Sequence, residues 1–153
     1  MDKKMKITLI AAGVSVLSVF LPWLEATVTS SSGGQSMSMS SGGFAGTEFD
    51  GAILGLIVAI AGGVMVYKQI KYAFAAGAIN LIIGLGHALG IFGEIQGGSY
   101  KSAYVSANTS VSPKIGLIIF LICTIIFMVN TYNDFKPVIK SLKDAQAGAM
   151  PKE

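Results

Sequence analysis

The chain has no arginine, one cysteine, one histidine and one tryptophan in 153 residues, and charged side chains make up only 12% of it. Without arginine, bidentate clamps on phosphate or carboxylate groups are excluded. A single cysteine excludes an internal disulfide, so the loops are unstapled, and Cys123, inside an apolar run, reads as a small packing residue. One histidine rules out the usual multi-histidine zinc site. There is no Gly-Lys-Ser or Gly-Lys-Thr phosphate cradle, no Gly-x-Ser-x-Gly elbow, and no pair of acids within an apolar run. The expectation is a non-enzymatic protein with no catalytic residues, no metal and no cofactor.

What is abundant is apolar: 52% of the residues, with a mean hydropathy of +0.66, a composition of membrane proteins. Residues 7–23, 52–67, 72–92 and 115–132 are four runs without Asp, Glu, Lys or Arg. Each is near the roughly 17 to 25 residues that cross a hydrocarbon layer. The fold expected is an all-α membrane protein, a single domain over 1–153 built as a four-transmembrane-helix bundle. Its helices fall at about 5–24, 51–67, 72–93 and 113–133, with a small extracytoplasmic β-sheet formed by loops 25–50 and 94–112, and a tail at 134–153.

If the runs alternate across the bilayer, nine of the eleven lysines lie on one side and only Lys101 and Lys114 on the other, with Glu25, Glu48, Asp50 and Glu94. That asymmetry predicts a multi-pass protein of the cytoplasmic membrane with both termini inside. The net charge of +3 is thereby accounted for by topology, and no nucleic-acid partner is expected. The start, MDKKMK before ITLIAAGVSVLSVFLPWL, has the parts of a signal peptide. Its apolar part is long and no small-x-small site follows Trp23, so an uncleaved anchor is expected. Pro22 and Trp23 would mark the outer interface, the ring half wet and the proline ending the helix.

In the loop 25–50, Ala26, Val28 and Ser30, then Ser36 to Ser40, alternate in the period of strands around a Ser-Gly-Gly-Gln turn. A hairpin is expected over a disordered linker. Val28, Met37 and Met39 would form the apolar contacts of this external cap with the second loop; two thioethers alone are weak copper(I) ligands. Asp50 reads as the N-cap of the second helix, and Ser112 with Pro113 as the start of the fourth. Gly51, Gly55, Ala59 and Gly63 recur every fourth residue, a smooth ridge for close helix packing. For the tail, a basic amphipathic helix on lipid and a frayed end are both open.

The run 72–92 carries Asn80 and His87, with Glu94 just beyond it. Spaced seven apart, these three stay on nearly one helix face, a candidate intramembrane polar stripe. They can act as interhelical glue or as a proton or ion track. Glue is the expected role, because the other runs offer only hydroxyls such as Ser15, Ser18 and Thr124. The Asn108-Thr109-Ser110 sequon lies in a Ser-rich loop where one match is close to chance.

The Leu21-Pro22-Trp23 end of the first run, the GTEFDG segment entering the second, and a long strand-prone first loop before a shorter second one together resemble claudin-like tetraspan proteins and small bacterial four-helix membrane proteins. The resemblance implies a four-span topology over the whole chain. The claudin signature of a loop Trp with paired Cys is missing, since Trp23 precedes the loop and the one cysteine is Cys123. Paracellular sealing is therefore not carried over. Function is expected through protein–protein contact, as an accessory subunit, assembly factor or self-associating component; its partners are the lipid bilayer and another membrane protein or a second copy. The alternatives are a small channel or transporter using the Asn80 stripe, and a membrane immunity or exclusion protein against a toxin or phage.

Overall fold

The computed structural model describes residues 3–32, 34–40, 42–91, 98–101 and 105–149. Helix α1 (Lys3–Ser18) leads into strand β1 (Pro22–Ser32), β2 (Gln35–Ser40), β3 (Phe44–Ala45) and a 3-10 turn at Gly46–Glu48. Helices α2 (Asp50–Tyr67) and α3 (Ala73–Ala88) follow, then β4 (Gly98–Lys101), β5 (Val105–Pro113) and α4 (Ile115–Ala149). The helices form a ring in which α1 and α3 each pack on both α2 and α4. The strands form one antiparallel sheet at one end, ordered β2-β1-β5-β4 with β3 also on β1.

This corrects the all-α, four-span expectation. Among the described residues only Asp50–Tyr67 and Ile115–Lys143 are long and apolar enough to cross a membrane, and a five-stranded sheet is part of the fold. The first and third runs lose length to local chemistry. At about 1.5 Å per residue, the 16 residues of α1 and of α3 span about 24 Å, short of a hydrocarbon layer of about 30 Å.

In the first run the cause is Pro22. It has no N–H to give the Ser18 carbonyl, the last turn tightens through Phe20 N–H to Leu17 and Leu21 N–H to Ser18, and the chain leaves as a strand. The Trp23 indole N–H donates to the Ser18 carbonyl at 2.9 Å in place of the missing donor. In the third run the cause is Gly90, at φ 65°. The Ile91 N–H bonds Gly86 and the Gly90 N–H bonds His87, a Schellman close that stops the helix at Ala88.

Other expectations also shift. Phe49, not Asp50, is the N-cap of α2, and Asp50 occupies its first turn, where a carboxylate still suits the dipole. Ser112 and Pro113 end β5, and α4 starts at Ile115. The tail does not separate: α4 runs 35 residues through Pro137 to Ala149. Trp23 is fully buried rather than half wet, and with Val19, Leu24, Phe49, Leu117 and Phe120 it forms the core where helices meet sheet.

The expected hairpin forms. Gly34, just before β2, lies at φ 84°, and Val28 pairs with Met39 and Ser30 with Met37. Strand β5 pairs with β1 from Leu24–Pro113 to Ser32–Val105. By register, Ala26, Val28, Met37, Met39, Ala107 and Val111 share one face, and Thr27, Thr29, Ser31, Ser38, Ser106 and Ser110 the other. Ser31 and Ser106 hydroxyls meet at 2.6 Å on the polar face, and Glu25 pairs there with Lys114 and accepts from Ser40.

Candidate functional site

The buried polar side chains form a column inside the helix ring. Thr8 and Ser15 on α1, Asn80 and His87 on α3, and Thr124 and Thr131 on α4 are each at most 5% exposed. Each pair is seven apart, so each helix turns one polar stripe inward. Thr8 donates to its own Lys4 carbonyl (2.8 Å) and Thr131 to Phe127 (2.9 Å), the usual way for a hydroxyl to be satisfied within an apolar helix.

Asn80 bridges to α2. With its amide oriented to satisfy both ends, Nδ2 donates to the Gly55 carbonyl (3.0 Å) and Oδ1 accepts from the Ala59 N–H (3.3 Å). Two of the four ridge residues are thus where α3 grips α2. The ridge itself is rotated from the expected one: Ala52, Gly55, Ala59 and Gly62 are buried, while Gly51 and Gly63 lie at its half-buried margins. A Cβ at Gly63 would meet only Ala12, at 3.5 Å. Gly84, which shares the Asn80 stripe by spacing, instead lets α4 approach, since a Cβ there would fall 2.6 Å from Leu121 Cδ2.

His87 closes the column at the sheet end, 3% exposed. Its ring stands edge-on to Trp23 (centroids 5.5 Å) and tilted to Phe49 (5.4 Å). Gly51 makes room for it: a Cβ there would lie 2.8 Å from Nε2. Glu94, the third member of the stripe, lies outside the described residues. Asn80 and His87 are therefore brought to one interior face of α3, enclosed by a helix backbone and by aromatic rings.

Two cavities interrupt the packing. A small one in the middle of the ring, with room for about one water, is lined by Ser15, Ala59, Asn80, Cys123, Thr124 and Phe127. The Ser15 and Thr124 hydroxyls that reach it have no hydrogen-bond partner among the described residues. The other, of about 660 Å³, opens at the end away from the sheet. Its polar lining includes Lys4, Gln69, Lys71, Asn130, Asn133 and Asp134, drawn from α1, the α2–α3 connector and α4. Residue spacing within single runs gave no sign of it.

The external cap residues meet one another and the second loop only by strand pairing, Val28 lying between Met39 and Thr109, and remain largely exposed. Val28, Met37 and Met39 are 42%, 72% and 70% exposed, because no second layer covers that face of the sheet among the described residues. All six residues of β2 are exposed, and it is an edge strand. No group of His, Cys, Asp or Glu among the described residues could hold a metal ion.

The fold and its interior define a helical ring with two helices of membrane-spanning length, capped by an antiparallel sheet. No protein-family model, curated protein or solved structure matches the chain.

Proposed function

We propose that this chain is a membrane protein that works by protein–protein contact, as an accessory subunit, assembly factor or self-associating component. The observation that carries the reading is the apolar face of the hairpin, Val28, Met37 and Met39, which nothing among the described residues covers, with β2 at the edge of the sheet. Between Glu25 and Glu48 no residue is charged. Edge strands that need to stay unpaired usually carry lysine, proline or a bulge, and β2 has none of these charges or prolines. Such a strand is suited to adding a partner strand through its backbone, with alternate side chains giving specificity.

Membrane anchoring is through α2 and α4, and it is supported by the apolar outer surface of the ring. Ile10, Leu17, Ile57, Ile82, Ile122 and Val129 are all more than half exposed, a belt that water would not tolerate. Both anchoring helices begin at the sheet and end among lysines, Lys68 and Lys71 after α2, Lys136, Lys140 and Lys143 on α4. In this reading the sheet lies outside and both chain ends inside, an orientation supported by the usual bias of lysine toward the cytoplasmic side.

In this reading Asn80 and His87 hold helices together. A conducting path needs water along it, whereas Asn80 is engaged by backbone and His87 is ringed by Trp23, Phe49 and Gly51. The test is a photo-crosslinking residue placed at Ser38 in living cells. A discrete adduct that is lost in the Met37→Lys/Met39→Lys variant, with the membrane level of the protein unchanged, is expected. Absence of any adduct at Ser38 and at Met37 would end the proposal.

A further inference from the structure

The 660 Å³ cavity at the lysine end is built of two kinds of wall. The polar kind includes Lys4, Lys71 and Asn133, donors of hydrogen bonds to an anion, and Asn130, whose amide already gives one bond to the Ile126 carbonyl. Interleaved with these are Met5, Val66, Ile70 and Pro137, which offer no polar side-chain atom beyond a thioether. Ala73, the first residue of α3, also lines it, so the positive end of a 16-residue helix dipole adds to the field. Among the described residues one acid lines it, Asp134, and it is already matched by Lys4 at 3.3 Å. That pairing leaves no further acid among the described lining residues to compensate Lys71.

The volume lies in the range of sites for small molecules, about 300 to 1,000 Å³. An occupant that satisfies both walls carries a single anionic group and an apolar body. A free inorganic anion would leave the Met5 and Ile70 wall wet, and a nucleotide would find no aromatic lining on which to stack its base. The cavity also lies where α2 and α4 leave the apolar belt, the depth of a lipid headgroup if the proposed membrane reading holds, on which this inference rests.

We infer that this cavity is a binding site for the phosphate headgroup of an anionic phospholipid, held by Lys71 and Lys4 with its acyl chains lying on the outer face of the ring. The Lys4–Asp134 pair would open on binding, its lysine turning to the phosphate. Lys136, Lys140 and Lys143 lie beyond the lining and would contribute only to the general attraction of this end for anionic lipid.

The experiment uses the full chain, purified in a neutral detergent, and counts bound lipid by native mass spectrometry as phosphatidylglycerol or phosphatidylcholine is added. One phosphatidylglycerol should be retained in preference to phosphatidylcholine. Lys71→Gln should weaken it about fivefold, Lys4→Gln/Lys71→Gln about 25-fold, and Lys140→Gln by less than twofold. All three lysines are at the surface or in surface ion pairs, and the variants' unmodified melting temperatures without lipid would establish that they fold. Equal retention of phosphatidylcholine, or an equal effect of Lys140→Gln, would overturn the site. So would inorganic phosphate raising the melting temperature as much as the lipid does, since binding would then owe nothing to the apolar wall. The readout involves neither the sheet nor the orientation in a membrane, so a failure here and a failure of the Ser38 crosslink are distinct.

Discussion

The Asn80 amide lies across the Gly55–Ala59 turn of α2, donating to one residue's carbonyl and accepting from the other's N–H. Those two backbone groups are i and i+4 partners within α2, so the side chain adds a second bond to each end of an existing helical one. Gly55 permits this approach; a Cβ there would sit 3.7 Å from the Asn80 side-chain amide and 3.2 Å from the Phe120 ring. Asn80→Ala should therefore lower stability by about 0.6 to 2 kcal/mol, the range for a polar contact between helices in an apolar medium. Asn80→Asp should cost more, because it replaces the donor facing the Gly55 carbonyl by an acceptor. Denaturant titration of the purified protein measures both.

Gly46 is held between the end of α1 and the buried tryptophan. Its N–H bonds Leu21 and that of Thr47 bonds Val19, so the chain returning from the hairpin caps the carbonyls freed when α1 ends. A Cβ on Gly46 would lie 2.6 Å from the Val19 carbonyl oxygen and 2.7 Å from the Trp23 ring, and backbone cannot move aside cheaply. Gly46→Ala should cost about 1 to 3 kcal/mol, as overpacking does. Gly13→Ala, where the Cβ meets nothing within 4 Å, is the control and should be neutral or stabilising.

How much of this could be read from the residues depended on whether the signal was local. The hairpin was legible because alternation and a Ser-Gly-Gly-Gln turn define it within 15 residues. The shortened helices were marked too, by Pro22 and Gly90, but an apolar run does not say whether the chain continues as helix or turns into a strand. Gly90 is a stop through its positive φ, which a glycine inside an apolar run does not announce. The polar column was half visible: the spacing of Asn80 and His87 gave one helix face. That Ser15 and Thr124 face the same interior depends on how three helices rotate against one another, which no single run encodes. The exposure of Met37 and Met39 was missed because alternation reveals a shared face and is silent on whether anything covers it.

Gln69 ends α2 in the left-handed region at φ 57°, with its own N–H on Val66 and that of Ile70 on Met65. This is a Schellman close without the glycine that usually makes it. For a residue with a Cβ that conformation costs about 1 to 2 kcal/mol, part of which a glycine returns as unfolded-chain entropy. Gln69→Gly should raise stability by about 0.5 to 1 kcal/mol. Gln69→Val, branched at Cβ, should lower it, and a thermal melt distinguishes the two.

Gly51 and His87 are coupled through space, the absent Cβ of one lying where the imidazole of the other stands. Gly51→Ala would place a methyl 2.8 Å from Nε2, and the ring cannot swing away because Trp23 and Phe49 flank it. The single change should cost about 1 to 3 kcal/mol. His87→Ala alone should cost a similar amount through the lost ring contacts and the void left behind. In the double variant the added methyl occupies part of that void, so the two costs should sum to at least 1 kcal/mol less than additive. Strict additivity in a double-mutant cycle would mean that the residues do not share one packing site. If the polar stripe conducted ions, the parent protein would show a pH-dependent flux through reconstituted vesicles that His87→Ala abolishes; helix glue requires that there be no such flux in the parent protein to lose.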